Sequence, residues 1–255
     1  TLDHLDPFLL FDHFGSGNPD DYIKGFPMHP HRGIETVTYM IEGVVNHKDS
    51  MGNSGTISGG DVQWMTSGGG IMHEEMPQPC QREMVGFQLW VNLPARLKMT
   101  RPRYQNITSD QIAEIIRKDG VKIRVIGGEV DGIRGPVTDI FADPTYIDVT
   151  IPAKGSFSYP LEPGHTVFTY VFEGEGVFGA VSRLKGELVT HPRLVVFNDT
   201  GLFEARATET YVRFLLISGK PLKEPIARYG PFVMNTQDEI QQALKDLKDG
   251  TFVQN

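Results

Sequence analysis

Two short motifs in this sequence carry histidines and carboxylates suited to metal chemistry. They are His29-x-His31 and, later in the chain, His73-x-Glu75. Because successive side chains of a β-strand point to opposite faces, both members of each motif share a face. Two such strands lying side by side would aim three imidazoles and one carboxylate at a single point. Imidazole with carboxylate suits iron, zinc, copper, nickel or manganese, and such a set with open positions suits non-haem Fe(II).

Two other residues, Glu35 and His47, have to be weighed against this set. By the same alternation, Glu35 shares the face of His29 and His31. The alternation therefore leaves open whether Glu35 or Glu75 supplies the carboxylate. His47 lies among polar residues of a predicted hairpin strand, and we interpret it as a surface residue. A single histidine more often forms hydrogen bonds or titrates than binds a metal, so the metal interpretation depends on the two motifs occurring together.

The composition is that of a globular protein with many short strands. The chain has 255 residues, and its 28 glycines and 17 prolines are spread along it, as tight turns require. The net charge is −8 and no run of Lys or Arg stands out, which argues against direct nucleic-acid binding. No apolar run approaches the ~20 residues that cross a bilayer. The single cysteine, Cys80, indicates a reducing compartment, and we expect the cytoplasm, or the nucleus in a eukaryote.

The second half of the chain repeats the first at an offset of 131 residues. Residues 38–43 match residues 169–174, and two further glycine pairs agree at the same offset. We therefore predict two β-domains, a metal-binding domain over residues 1–131 and a second domain over residues 132–255. The offset sets four residues at the ligand positions of the second copy: Pro160, Glu162, Glu204 and Arg206. Because proline has no coordinating side chain and arginine is a permanent cation, only the first domain is predicted to bind metal.

Two segments predict helices. Residues 109–118 follow a capping-box pattern and end before Gly120. Near the C-terminus, Thr236-x-x-Glu239 is a second capping box, and an apolar stripe with helical spacing runs from there to a stop at Gly250. The stripe comprises Ile240, Ala243, Leu244 and Leu247. We expect it to pack on the protein itself.

Longer segments around both motifs resemble the pirin family of the cupin superfamily. The segments that carry the resemblance are His29-Pro30-His31-Arg32-Gly33, Glu35-Thr36-Val37, Gly60-Asp61-Val62-Gln63-Trp64-Met65-Thr66, His73-Glu74-Glu75-Met76-Pro77, Asp6-Pro7-Phe8, Gln88-Leu89-Trp90-Val91-Asn92-Leu93 and Gly230-Pro231-Phe232-Val233-Met234-Asn235-Thr236. The resemblance implies an all-β bicupin, with two jelly-roll-type β-barrels in one chain and a C-terminal helix. It also implies that His29, His31, His73 and Glu75 hold one transition metal, and so favours Glu75 over Glu35.

The resemblance also implies an activity. Pirin-like proteins are similar to flavonol-cleaving cupins, which implies quercetin 2,3-dioxygenase-type cleavage of a flavonol or related aromatic by O2. We expect Fe(II) as the cofactor, with zinc, manganese, nickel or copper as alternatives, and Glu75 as the base that takes the flavonol hydroxyl proton. Phe26 and Met28 are candidate substrate-binding residues in the pocket wall, with core packing as their alternative role. The alternative function is a metal- or redox-responsive regulatory protein, a transcriptional or metabolic co-regulator that acts through protein partners.

Overall fold

The computed structural model describes residues 5–80, 82–138, 140–179, 186–198 and 201–253. The chain divides into two compact units. Unit 1 holds Thr1–Ser109 together with Leu222–Asn255, and unit 2 holds Asp110–Pro221. This division differs from the one drawn from the sequence at residues 131 and 132, because the C-terminal segment packs within unit 1, where its apolar cluster includes Met72. The Gly-rich stretch at residues 127–135, which suggested the boundary, lies inside unit 2.

Most strands of unit 1 belong to two antiparallel sheets. The elements are β1 (Phe8–Ser16), α1 (Pro19–Tyr22), β2 (Phe26–His31), β3 (Ile34–Glu42), β4 (Val44–Asp49), β5 (Ser54–Ser58), β6 (Val62–Thr66), β7 (Ile71–Pro77), β8 (Met84–Asn92), a 3-10 turn (Ala95–Leu97) and β9 (Arg103–Ile107). One sheet has the strand order β1-β8-β3-β6-β9, and the other has the order β2-β7-β4-β5. Side chains of the two sheets meet between them, as Thr38 and Glu75 do. This face-to-face arrangement is that of a jelly-roll barrel.

Unit 2 is a second antiparallel barrel with an apolar interior. Its strands are β10 (Ala113–Ile116), β11 (Lys122–Gly127), β12 (Glu129–Val130), β13 (Ile133–Arg134), β14 (Thr145–Ile151), β15 (Ser156–Pro160), β16 (Thr166–Phe178), β17 (Glu187–Thr190), β18 (Arg193–Phe197) and β19 (Leu202–Gly219). The main sheet has the order β10-β11-β14-β19-β16-β17, with β15 paired to β19 and β18 paired to β16. The predicted all-β bicupin fold is confirmed.

The helix predicted over residues 109–118 is wrong. The chain forms a short 3-10 turn at Ser109–Gln111 and then strand β10, which pairs with β11. Asp119-Gly120 makes the turn between these two strands, and Gly120 has a φ of +86°. Strand pairing with β11 therefore outweighs the local capping pattern. The Asp119-Gly120 pair is a sequence signal for a hairpin, and the helix prediction did not take it into account.

The residues assigned to the ligand positions of the second barrel do not occupy its interior. Glu204 is half-buried and Arg206 exposed, whereas their neighbours Phe203 and Ala205 are buried in the core. The offset of 131 is therefore out of phase along β19, since one residue of slip moves every side chain to the other face. Aromatic rings fill the interior here, with the Phe157 and Phe203 ring centroids 6.0 Å apart.

The C-terminal segment of unit 1 forms a hairpin and the long helix. The elements are β20 (Ala227–Tyr229), β21 (Phe232–Met234) and α2 (Gln237–Asp249). Both hydrogen bonds of the predicted capping box between Thr236 and Glu239 are present, and Gly250 ends the helix with a φ of +74°. Ile240 and Ala243 are fully buried against the hairpin, while Leu247 at the end of the stripe is exposed. Neither α-helix of the described ranges is long and apolar enough to span a membrane.

Candidate metal centre

Three histidines from the two motifs converge inside the first barrel. His29 on β2 lies directly opposite His73 on β7, and their ring centroids are 4.3 Å apart. The His31 ring lies 5.0 Å from that of His73, and its Nε2 is 3.1 Å from the Nε2 of His29. One ring nitrogen from each of the three lies within 4.8 Å of the others. The structure thus brings together the three imidazoles that the alternation of two strands predicted.

The ring nitrogens of this cluster fit a metal ion. The Nδ1–H of His29 can donate to the Pro27 carbonyl at 2.9 Å, which leaves its Nε2 with a free lone pair. Nδ1 of His31 and both ring nitrogens of His73 are buried and have no hydrogen-bond partner. A buried polar atom without a partner is costly, and a cation bound in the cluster would satisfy the lone pair of His73, for which the described residues offer no hydrogen-bond donor.

Electrostatics keep the imidazoles of His31 and His73 in the neutral form that binds metals. Burial, and to a smaller extent the neighbouring His29, lower the pKa of His31 to about 3. Burial also lowers the pKa of His73 far below the ordinary value, with added repulsion from His31, His29 and His47. A neutral imidazole offers its lone pair without first losing a proton, so no proton competes with the metal near pH 7.

Glu75 lies beside the cluster on the same face of β7 as His73. The side chain is buried, and each carboxylate oxygen accepts one hydrogen bond. Thr38 Oγ1 donates to Oε1 at 3.0 Å, and Gln88 Nε2 donates to Oε2 at 3.1 Å. Among the described residues, the set of donors within 4.8 Å of one another consists of the three histidines and does not include Glu75. Glu75 also lines a neighbouring cavity.

Glu35 lies away from this face. Strand β2 ends at His31 and β3 begins at Ile34, and between them Gly33 has a φ of +80°. The alternation from His29 therefore does not carry through to Glu35, so the inference that Glu35 shares the face of the two histidines is wrong. Glu35 lies on the opposite face of β3 from Thr38, where Thr66 Oγ1 donates to it at 2.7 Å. Burial raises the pKa of Glu35 to about 7.

His47 belongs to the interior of the barrel, so its interpretation as a surface residue is wrong. It is 2% exposed and lies opposite Glu75 in the pairing of β4 with β7. Its ring stacks on Tyr104 with centroids 4.7 Å apart, and the His73 ring is 5.4 Å away. Burial lowers the pKa of His47. The signal was present in the sequence, because His47 continues the every-second-residue pattern of buried side chains that begins at Val45.

A cavity of about 370 Å³ is lined by Glu75, which lies two residues from His73 on β7. The lining also includes the polar side chains of Gln88 and Thr38, together with Phe26 and other apolar residues. Those other apolar residues are Phe14, Tyr22, Val45, Pro77 and Met84. Phe26 is 60% exposed and Met28 is 43% exposed, so core packing, the alternative considered for both, is wrong. Phe26 lines this cavity, and Met28 is not among its lining residues.

The turn that follows the first motif is held by the C-terminal segment. Arg32 is 1% exposed, and its Nη1 donates to Asp246 of α2 at 2.7 Å. The backbone of Arg32 bridges β21, where Val233 N donates to the Arg32 carbonyl at 3.1 Å. A side chain at Gly33 would collide with the Val233 carbonyl, which explains the glycine. Residues far apart in sequence thus fix the end of the strand that carries His29 and His31.

The fold and the cluster together define a bicupin with a candidate metal centre in its first barrel. Residues 1–91 match the sequence model of the Pirin family. Residues 146–253 match the sequence model of the Pirin C-terminal cupin domain. The chain belongs to the pirin family. The resemblance drawn from the sequence motifs is thereby confirmed.

Relatives of known name agree with this assignment. A Pseudomonas aeruginosa protein provisionally named quercetin 2,3-dioxygenase is 44% identical over 252 residues, covering 97% of this chain and 87% of that protein. A pirin-like protein of Caulobacter vibrioides is 43% identical over 251 residues, with 97% and 88% covered. The crystal structure of quercetin 2,3-dioxygenase from Acinetobacter baumannii superposes with a TM-score of 0.87 at 38% identity, covering 97% of this chain and 86% of that chain.

Proposed function

We propose that this protein is a metal-dependent dioxygenase that cleaves a flavonol or a related aromatic with O2. The observation that carries the proposal is the cluster of three imidazoles, of which His31 and His73 are buried, beside Glu75, a carboxylate that lines a cavity. Relatives named quercetin 2,3-dioxygenase support the substrate class. We propose His29, His31, His73 and Glu75 as the metal ligands.

The donor set suits Fe(II), which we propose as the physiological metal. Three imidazoles and one carboxylate, with no thiolate, leave open positions on a six-coordinate ion. When bound, such a metal supplies Lewis acidity and O2 chemistry. A closed structural site would instead be tetrahedral and richer in cysteine.

Glu75 is proposed as the group that takes the proton of the substrate hydroxyl. A general base must reach within about 2.6–3.2 Å of the proton donor's heavy atom, and Glu75 lies where the cavity meets the histidine cluster. Thr38 and Gln88 each hold one of its oxygens, which leaves lone pairs on both oxygens for a ligand in the cavity.

The walls of the cavity suit a planar aromatic. Phe14, Phe26 and Met84 in the lining offer apolar surface, and burial of a ring there would exclude water from the reacting end. A volume of about 370 Å³ lies within the range of pockets for small organic ligands.

The test is turnover of the iron-loaded protein. Fe(II) is loaded anaerobically, and loss of flavonol absorbance is followed together with O2 consumption. We expect the wild type to consume flavonol and O2 in equal amounts, and His73→Ala to consume neither. The His73→Ala protein must also be shown to fold. Equal rates in wild type and variant would contradict the proposal and favour the regulatory alternative.

A further inference from the structure

A chain of hydrogen bonds runs from the indole of Trp90 to the carboxylate of Glu75. Trp90 Nε1 donates to Gln88 Oε1 at 3.2 Å, and Gln88 Nε2 donates to Glu75 Oε2 at 3.1 Å. Thr38 completes the chain from β3 by donating to Glu75 Oε1. Trp90 and Gln88 share one face of β8, and Thr38 lies opposite Gln88 in the pairing of β3 with β8. The chain thus joins the two sheets of the barrel.

The chemistry of the end groups fixes the orientation of the Gln88 amide. An indole N–H can only donate, and an ionised carboxylate can only accept. With the carbonyl toward Trp90 and the NH2 toward Glu75, both hydrogen bonds form. A flipped amide would set its NH2 against the indole N–H and its carbonyl against the carboxylate, and both contacts would be repulsive. Trp90 therefore decides which end of Gln88 faces Glu75.

Two further side chains, those of His31 and Arg228, contact the ring of Trp90. The edge of its ring system meets the ring of His31, with centroids 5.1 Å apart and planes at 87°. The guanidinium of Arg228, on β20, lies 5.1 Å from its ring centroid. One tryptophan thus contacts a histidine of the first motif and, through Gln88, the carboxylate of the second.

We propose that Trp90 and Gln88 are positioning residues that hold the Glu75 carboxylate in a binding-ready orientation for the metal. The inference rests on the proposed function in one respect, which is that it takes Glu75 as a ligand. A free glutamate side chain loses rotamer freedom when it binds. Here that ordering is already imposed by hydrogen bonds on both oxygens, so metal binding does not have to provide it.

Each variant removes at least one hydrogen bond of the chain to Glu75. Trp90→Phe deletes the indole N–H and frees the Gln88 amide to flip, and Gln88→Met deletes the donor to Glu75. The matched control is Trp64→Phe, because Trp64 is fully buried in the same sheet and pairs with Val37, which lies on the opposite face of β3 from Thr38. Trp64→Phe removes an equal indole without touching the chain to Glu75.

The measurement is a titration of the metal-free full-length protein with Co²⁺, followed by the visible absorption of the bound ion. We expect Trp90→Phe and Gln88→Met to weaken Co²⁺ binding by about 10- to 100-fold, the usual effect of removing a partner of a metal ligand. We also expect their spectra to differ from the wild-type spectrum. Trp64→Phe should keep both affinity and spectrum, although its thermal midpoint falls.

A second pair of variants keeps the proposal testable if Trp90→Phe does not fold. Thr38→Val removes the other hydrogen bond to Glu75 and should weaken Co²⁺ binding, whereas Thr38→Ser keeps the hydroxyl and should restore it. Wild-type affinity and spectrum in Trp90→Phe and Gln88→Met would overturn the inference. So would an equal loss in Trp64→Phe. No flavonol enters the assay, so a failed turnover experiment leaves this result standing, while a wild type that does not bind Co²⁺ would refute both proposals.

Discussion

His29 and His73 face each other across the pairing of β2 with β7, with ring centroids 4.3 Å apart. This pairing places two histidines from separate motifs at the same level of one sheet. His31, two residues further along β2, completes the cluster because its side chain returns to the same face. The site is therefore a direct consequence of strand register, and a slip of one residue would turn the His73 and Glu75 side chains away from it.

The first prediction separates the two candidate carboxylates. Glu75→Ala should lose most of its bound metal, because the side chain adjoins the histidine cluster, and Glu35→Ala should keep it. His31→Ala should also lose metal, since His31 contributes a central ring nitrogen. The measurement is metal content by elemental analysis after loading and desalting. Retention by Glu75→Ala with loss in Glu35→Ala would mean that the wrong carboxylate has been assigned.

The second prediction concerns stability and pH at Glu35. Burial raises its pKa to about 7 in the folded protein, whereas the unfolded chain has the ordinary value of 4.5. Between these two values the unfolded state has lost the proton and the folded state has kept it, so the free energy of unfolding falls as pH rises. Glu35→Gln cannot ionise and should flatten this fall between about pH 4.5 and 7. Denaturant unfolding across that range provides the test, and parallel curves for wild type and variant would contradict it.

The third prediction concerns the link between the first motif and the C-terminal helix. Asp246→Asn should lower the free energy of unfolding by about 2 kcal/mol, because the buried Arg32 guanidinium would lose its charged partner. Asp249→Asn is the matched control, an exposed aspartate on the same helix, and should be nearly neutral. Chemical denaturation of both variants decides the matter, and equal losses would show that Arg32 does not depend on Asp246.

That link should also weaken in acid. Burial by itself would raise the pKa of Asp246, but the hydrogen bonds from Arg32 and Gln242 and the charge of Arg32 outweigh it, so the pKa is lowered overall. A carboxylate with a depressed pKa stabilises the fold above its unfolded value and loses this contribution as pH falls through the folded value. The difference between wild type and Asp246→Asn should therefore shrink toward low pH.

The fourth prediction tests the cavity as the substrate pocket. Phe26→Ala should raise the KM for a flavonol several-fold, because Phe26 lines the cavity. The effect on kcat should be smaller, because the phenyl side chain has no acid–base group that could take part in the reaction. Met28→Ala is the control, since Met28 is an exposed apolar residue of the same strand outside the lining of the cavity. Steady-state kinetics of the iron-loaded variants give both constants. A larger KM change in Met28→Ala would place the substrate elsewhere.

Short-range patterns were sufficient to predict several elements. The face shared by His73 and Glu75 follows from alternation within one strand, and the C-terminal helix follows from a capping box and an apolar stripe within 15 residues. Such features depend on neighbours in the chain, whose geometry the backbone sets directly.

Long-range contacts decided the rest. The local capping pattern at residues 109–118 was overridden by pairing with β11, and His47 was buried by stacking on Tyr104, far away in sequence. Glu35 does not share the face of the histidines, because a turn at Gly33 interrupts the strand between them. This turn packs against β21 near the end of the chain.

The sequence by itself determined the two motifs, because each is a contiguous run of residues. It also determined the family and the fold class, because several such short runs along the chain carry the resemblance. Only the tertiary structure showed that residues 222–255 belong with the first unit, that Arg32 is paired with Asp246, and that Trp90 donates a hydrogen bond to Gln88, the partner of Glu75. These contacts join residues that share no local pattern, so they exist only once the strands have paired and the sheets have closed on each other.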